Sequence, residues 1–171
     1  MLTVRPFCLD DVAPANALTN WYIQHTAVHF GDRPATDSEF EAAWRAGSAT
    51  HPWFSAWWAG DEQASPVRPA FAGYIKAGVW RERAAYSRTC ETGVYVARGM
   101  EGRGVGTALY QALLAELRER GFHTVVAGMT LPNDASQRLH ERVGFTKVGE
   151  FSEVGYKLGR WHDTGFWQMR L

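Results

Sequence analysis

The sequence predicts one domain of α/β (α+β) type, in which helices and strands interleave to build three layers. Three observations predict it. Segments with apolar residues at helical spacing alternate with short β-branched and aromatic segments along the whole chain. The stretch Glu91–Gly121 sets a short apolar segment, Val94 to Val96, before a glycine-dense turn and then a helix. A chain of 171 residues suits one full core and leaves little for an independent second domain.

Taken in order, Leu2–Arg5 carries β-branched Thr3 and Val4 and reads as a first strand ended by Pro6. Asp10 or Asp11 can cap the helix that follows, whose apolar residues Val12, Ala15, Leu18, Trp21 and Tyr22 recur at helical spacing. Thr26–Phe30 reads as a loop or edge segment. Thr36–Glu39 is a capping box opening a short helix with Phe40, Ala43 and Trp44, and Gly47 follows its end. Trp53–Ala59 is aromatic enough for a buried strand, and Gly60–Pro69 is a polar turn or surface loop. Pro69–Trp80 is a strand with interior glycines, the mark of a bulge or a close backbone approach. Arg81–Thr89 is a charged loop.

The helix after the glycine turn has Val105, Leu109, Leu113 and Leu117 on one face and Gly121 as its C-terminal cap. His123–Gly128 is a compact β-branched strand. Leu131–Asn133 is a loop, Asp134 and Gln137 are spaced as an N-cap pair, and the helix Ala135–Arg142 ends at Gly144. Phe145–Phe151 and Gly165–Arg170 read as two last strands, with Gly155–Asp163 between them. No internal repeat or low-complexity stretch interrupts this order.

Composition narrows the function. Formal net charge is zero, so nothing argues for a nucleic-acid or membrane partner. Cys8 and Cys90 give neither a disulfide framework nor metal-ligand spacing, which points to a reducing, cytoplasmic setting. No apolar run could span a bilayer, and the N-terminus lacks a basic-then-apolar signal segment. The eight tryptophans suit a core, an interface or the walls of a small-molecule pocket.

Gly102, Gly104 and Gly106 alternate and lead into a helix N-terminus whose first amides have no intrahelical partner. Such amides, at the positive end of the helix dipole, suit a phosphate or pyrophosphate. A tight strand-to-helix connection with no ligand would use the same glycines; Arg103 among them favours the anion. The dinucleotide fingerprint fails because Leu109 stands where its third glycine belongs, and the nucleoside-triphosphate loop fails because no lysine follows the glycines.

The turn, E-G-R-G-V-G from Glu101 to Gly106, resembles the pyrophosphate loop Q/R-x-x-G-x-G/A of the GNAT superfamily of acyl-CoA N-acyltransferases. Glu101 departs from that pattern; an acid beside a pyrophosphate is unfavourable unless it points to solvent, and Arg98 and Arg103 could offset it. E-T-G-V-Y-V, L-P-N-D-A-S-Q-R-L-H-E-R-V-G-F and G-Y-K-L-G-R-W-H-D-T-G-F-W-Q look like the phosphinothricin and methionine sulfoximine N-acetyltransferases, as do N-W-Y-I, H-P-W and W-R. The resemblance covers essentially the whole chain. It implies a mixed, twisted sheet flanked by helices and splayed between its fourth and fifth strands, with acyl-CoA in the split.

It further implies an acetyl-CoA-dependent enzyme that acetylates the α-amino group of phosphinothricin, methionine sulfoximine or methionine sulfone, a detoxification that would give herbicide resistance. A cytoplasmic homodimer without a metal is expected, with Trp161–Trp167 as interface or core. Backbone groups of Val94, Tyr95 and Val96 would pair with the thioester and pantetheine, and an amide near Val94 would meet the oxyanion. Gly102, Arg103, Gly104, Val105, Gly106 and Thr107 would hold the pyrophosphate, and Asn133 the pantetheine, whether or not it is also a turn residue. Glu91 stands where the family places its general base, though a glutamate at a strand end is ordinarily a solvated acid. His140 stands where many members carry a tyrosine acid, and would protonate the thiolate or share the base role, unless it is a plain helix-surface residue. Arg81 would pair with the substrate carboxylate; Trp80 and Tyr86 would wall its side chain with Phe30 and Thr26 opposite, and Lys157 is a second cationic contact. Two competing readings stand beside this one: an acetyltransferase for another small amine or amino acid, and a non-catalytic acyl-CoA-binding regulator.

Overall fold

The computed structural model describes residues 1–60 and 69–171. The loop expected over Gly60–Pro69 therefore lies mostly outside the described residues. Seven strands form one mixed sheet: β1 (Leu2–Pro6), β2 (Trp53–Trp58), β3 (Ala70–Val79), β4 (Thr89–Val96), β5 (Thr124–Thr130), β6 (Thr146–Lys157) and β7 (Arg160–Arg170). Their spatial order is β1-β2-β3-β4-β5-β7-β6. Every neighbouring pair is antiparallel except β4 and β5, which run parallel. Four helices accompany them: α1 (Val12–His25), α2 (Asp37–Ser48), α3 (Val105–Glu119) and α4 (Asp134–Arg142).

The helices flank the sheet on two faces, each with its own apolar core. On one face α3 buries Val105, Leu109, Leu113 and Leu117, as their spacing predicts, together with Tyr110 and Leu114. Each fully buried leucine stabilises the fold by about 1.5–3 kcal/mol relative to exposure. Phe122 and Gly121 close α3 by donating to the Leu117 and Arg118 carbonyls. On the other face α1 and α2 pack Val12, Ala15 and Phe40 against Phe7, Trp53 and Tyr74. The capping box of α2 is present: the Glu39 amide donates to the Thr36 hydroxyl and the Thr36 amide to the Glu39 carboxylate.

Several boundaries differ from expectation for local physical reasons. Asp11 does not cap α1 with its side chain. Its fully buried carboxylate instead accepts from the Arg5 guanidinium (2.8 Å, twice), the Cys8 amide (2.8 Å) and Trp57 Nε1 (2.9 Å), tying β1 to β2. Gly47 lies inside the last turn of α2 rather than beyond it. The cap of α4 is Asn133, one residue before the expected Asp134; its Oδ1 accepts from the Ser136 amide. The segment expected as separate from the last two strands is itself strand, so β6 and β7 form one long hairpin turning at Leu158–Gly159. The close approach predicted in β3 is at Gly73, where a Cβ would strike the Tyr95 carbonyl oxygen. The bulge is in β3 as well: Ala72, beside Gly73, is the extra residue opposite the Ala56–Trp57 step of β2.

Candidate active site

Strand β4 pairs with β5 only from Thr89–Thr92 to Thr124–Ala127, and beyond that the two strands part. Ala97, just past β4, donates to Ala72 on the β3 side. Residues along an antiparallel strand alternate in the side to which their backbone groups point. The backbone of Val94 and Val96 therefore faces the split, while that of Tyr95 is committed to β3. This corrects the expectation that all three would pair with a ligand in the split. Of these groups, the Val96 carbonyl already accepts from the Tyr22 hydroxyl at 3.0 Å.

The split opens into a cavity of about 360 Å³, within the size range of small-molecule sites. Its walls are Val94 and Val96, the turn Met100–Gly102 with Gly104–Thr107, and one face of α4; Arg103 is not part of the lining. Gly102 and Gly104 adopt left-handed backbone, φ +73° and +80°, which a Cβ would strain. Gly104 is the N-cap of α3, and the amides of Val105, Gly106 and Thr107 begin the helix without intrahelical acceptors. The third glycine has a different reason. A Cβ on Gly106 would lie 2.7 Å from Leu139 Cδ2, so its absence lets α3 and α4 approach. The Glu101 carboxylate turns back on its own loop and accepts from the Gly99 amide at 2.7 Å. Arg98 lies over Trp21 and Arg103 over Trp58. Asn133 uses only its oxygen as the α4 cap, so its amide group is left to the cavity it lines.

Side chains of β4 alternate between the two faces of the sheet. Those of Cys90 and Val94 join the α3 core, whereas Tyr95 packs with the α1 and α2 cluster. Glu91 shares the second face with Tyr95. Its carboxylate stands beside Gly128 of β5, whose added Cβ would be 3.5 Å from Oε1. Partial burial pushes Glu91 above the usual carboxylate range, and Lys76 and Arg81 pull against that shift. A carboxylate whose proton affinity burial has raised is suited to take a proton from an ammonium.

His140 lies elsewhere than expected. It is 3% exposed and does not line the cavity. Its Nδ1 lies 2.7 Å from the Ser136 carbonyl, so that nitrogen carries the proton. Nε2 then accepts from the Tyr110 hydroxyl at 2.6 Å, and Tyr110 meets the Thr92 hydroxyl at 3.0 Å. The ring also packs edge-on to Phe145. Burial lowers its pKa, against the opposing Ser136 bond. Leu139, its neighbour, packs against the α3 core and also lines the cavity.

The remaining expected contacts divide. Trp80 packs edge-on to Phe166, and the Arg81 guanidinium lies over the Trp80 ring at 5.0 Å, near enough to Glu91 to act on it. Tyr86 sits exposed in a short 3-10 turn, Ala84–Tyr86. Phe30 does not face Trp80; its ring covers Gly155 and lies near His162. The Thr26 hydroxyl is bound to the Tyr22 carbonyl. The Lys157 ammonium is taken by the Ile23 and His29 carbonyls, so it clamps the loop after α1 instead of facing a substrate. Thr130 of β5 holds the same loop through the Ala27 carbonyl at 2.7 Å. Sequence reasoning missed Ala135, Arg138 and Arg142, which line the cavity with Leu139. Their spacing of three, four and seven residues marks one helical face and was the available signal. It also missed Lys76. Among the described residues, no group of three or more His, Cys, Asp and Glu side chains could hold a metal ion.

This geometry has counterparts in known proteins. A phosphinothricin N-acetyltransferase of Streptomyces viridochromogenes is 38% identical over 165 residues, covering 96% of this chain and 85% of that relative. An L-methionine sulfoximine/L-methionine sulfone acetyltransferase of Salmonella typhimurium is 32% identical, covering 99% of this chain and 95% of its own length. The crystal structure of a phosphinothricin acetyltransferase from Sinorhizobium meliloti in complex with AcCoA superposes with a TM-score of 0.90 at 26% identity, over 99% of this chain and 88% of that one. The model of the acetyltransferase (GNAT) family matches residues 15–145. Given that match and relatives aligned along nearly its whole length, this chain belongs to the acetyltransferase (GNAT) family.

Proposed function

We propose that residues 1–171 form one catalytic domain that transfers acetyl from acetyl-CoA to the α-amino group of phosphinothricin-like amino acids: phosphinothricin, methionine sulfoximine and methionine sulfone. The observation that carries this reading is the split itself. It has a cavity with free helix-start amides on one face, and Glu91 between two cations on the other. The named substrates of the relatives supply the acceptor class.

The reaction needs a neutral amine, a stabilised oxyanion and a departing thiolate. An acetyl-CoA pyrophosphate at the Val105–Thr107 amides would leave its thioester beside Val94. Glu91, directly or through a water, takes one proton from the substrate ammonium. The amine nitrogen attacks the thioester carbonyl, and the Val94 amide, turned to the split, receives the oxyanion. The carbon–sulfur bond then breaks, and the second proton on the nitrogen passes to the departing thiolate, which leaves as the free thiol of CoA. The α-carboxylate pairs with Arg81. N-acetylation removes the ammonium by which an amino-acid-like toxin is recognised, so the activity is a detoxification and a route to herbicide resistance.

We place the enzyme in the cytoplasm as a homodimer. No described helix is long and apolar enough to cross a membrane. Val148, Phe151, Val154, Tyr156, Leu158 and Trp161 of the β6–β7 hairpin are each more than half exposed, an apolar surface of the kind a partner covers. Trp167, by contrast, is buried in the core.

Thiol release from acetyl-CoA tests the reading, with L-phosphinothricin, L-methionine sulfoximine, L-methionine sulfone and the common amino acids as acceptors. Turnover concentrated on the first three is expected. Absence of release with all three overturns the acceptor assignment.

A further inference from the structure

On the same face as Glu91, the β3–β4 ladder makes an unusual square. Lys76 stands opposite Gly93, and Gly78 stands opposite Glu91. The two charged side chains are thus diagonal neighbours, about 7–8 Å apart at the backbone, and both other corners are glycine. A Cβ at Gly78 would meet nothing within 4 Å, and one at Gly93 would make only ordinary contact with Lys76 and Tyr95. Gly128 lies on the third side of Glu91, where the Phe166 ring packs over it. The floor between the two charges is bare backbone.

Lys76 is half-buried and, among the described residues, its ammonium has no hydrogen-bond acceptor and no ion pair within 4.0 Å; it rests on the Trp53 ring, 5.3 Å from the centroid. Burial lowers its pKa, and Glu91 acts on it only from a distance. The nearby cations are otherwise engaged. Lys157 holds two carbonyls, and Arg81 stacks on Trp80 beyond the other end of the square. His29, in van der Waals range of the same cluster through Tyr95, is held below its usual pKa by burial and by Lys76 and Lys157. A half-buried ammonium without an acceptor gains most from an anion brought to it, because a charge-assisted hydrogen bond replaces incomplete hydration.

We propose that Lys76 is a specificity-determining residue that receives a second, anionic group at the distal end of the acceptor, so that this enzyme prefers amino acids with a charged head group over those with a neutral one. The proposal rests on the acceptor class proposed above. Arg81 and Lys76 flank Glu91 from opposite ends, so one amino acid can set its α-carboxylate on the first, its distal anion toward the second and its amine at the carboxylate between them.

The test compares L-phosphinothricin, whose phosphinate is anionic, with L-methionine sulfone, whose head group is neutral. Wild type should favour phosphinothricin. Lys76→Gln should lower kcat/KM for phosphinothricin about 10- to 100-fold, mainly through KM, and change the sulfone by less than about 3-fold. Lys76→Arg should recover most of the loss, and Lys76→Met serves as a second neutral variant should the glutamine variant fold poorly. An equal loss on both acceptors, or no loss on either, in the presence of active wild type overturns the role of Lys76 and leaves the acceptor class standing. Wild type inactive on both removes the acceptor class, and the role of Lys76 with it.

Discussion

Glu91 and His140 serve opposite faces of the same sheet, and the chain treats their protons in opposite ways. Glu91 sits on β4 at the mouth of the split, ringed by Gly78, Gly93 and Gly128 and flanked by two cations. It is only partly buried, and no hydrogen bond among the described residues fixes its carboxylate. His140 is closed in behind Phe145, with one nitrogen donating to Ser136 and the other accepting from Tyr110. Both ring nitrogens have partners, and the Tyr110 and Thr92 hydroxyls link it to β4. A titratable group becomes available for chemistry when its surroundings leave a place for a ligand. The same group with every partner supplied by the fold holds the fold together.

The sharpest way to break this contrast is to remove each group in turn. Glu91→Gln should lower kcat/KM about 10²- to 10⁴-fold in the thiol-release assay, as loss of a general base does. His140→Ala should keep kcat per folded molecule within about 5-fold, but lose about 2–4 kcal/mol of stability because a cavity forms and the Tyr110 hydroxyl is orphaned. Denaturant unfolding reads the second effect. Intact stability with lost activity in His140→Ala would reverse the two assignments.

Gly104→Ala sharpens the comparison on the donor side. The left-handed backbone there, φ +80°, would cost about 1–2 kcal/mol in a residue with a Cβ. The KM for acetyl-CoA should rise about 5- to 10-fold while the acceptor KM stays constant. A smaller effect concerns Glu91 itself. Its folded pKa is raised above the unfolded value, so the contribution it makes to stability is complete at low pH and is lost as pH rises through the folded pKa. Glu91→Gln should therefore raise the unfolding midpoint slightly at neutral pH and leave it unchanged in acid.

Much of the fold was legible because it is local. The four-residue recurrence from Val105 to Leu117 and the capping box at Thr36 each depend on neighbours in sequence, and both formed as read. The glycine turn was legible for the same reason, although Gly106 proved to serve helix packing. Relations between distant strands were not legible. Whether the Tyr95 backbone faces the split depends on which strand Ala97 pairs with, and the position of Lys157 depends on carbonyls more than a hundred residues earlier. Lys76 shows the same limit: a lysine within an apolar strand reads as ordinary until its register sets glycine opposite it and Glu91 on the diagonal.

The most direct test of the central claim is the pH dependence of kcat/KM for L-phosphinothricin in wild type, Glu91→Gln and His140→Asn. The acceptor amine titrates identically in all three, so any difference belongs to the enzyme. Wild type and His140→Asn should share an acid limb above the ordinary carboxylate range, because burial outweighs Lys76 and Arg81 at Glu91. Glu91→Gln should lose that limb. A limb that persists in Glu91→Gln and disappears in His140→Asn would move the base to the histidine and contradict the account.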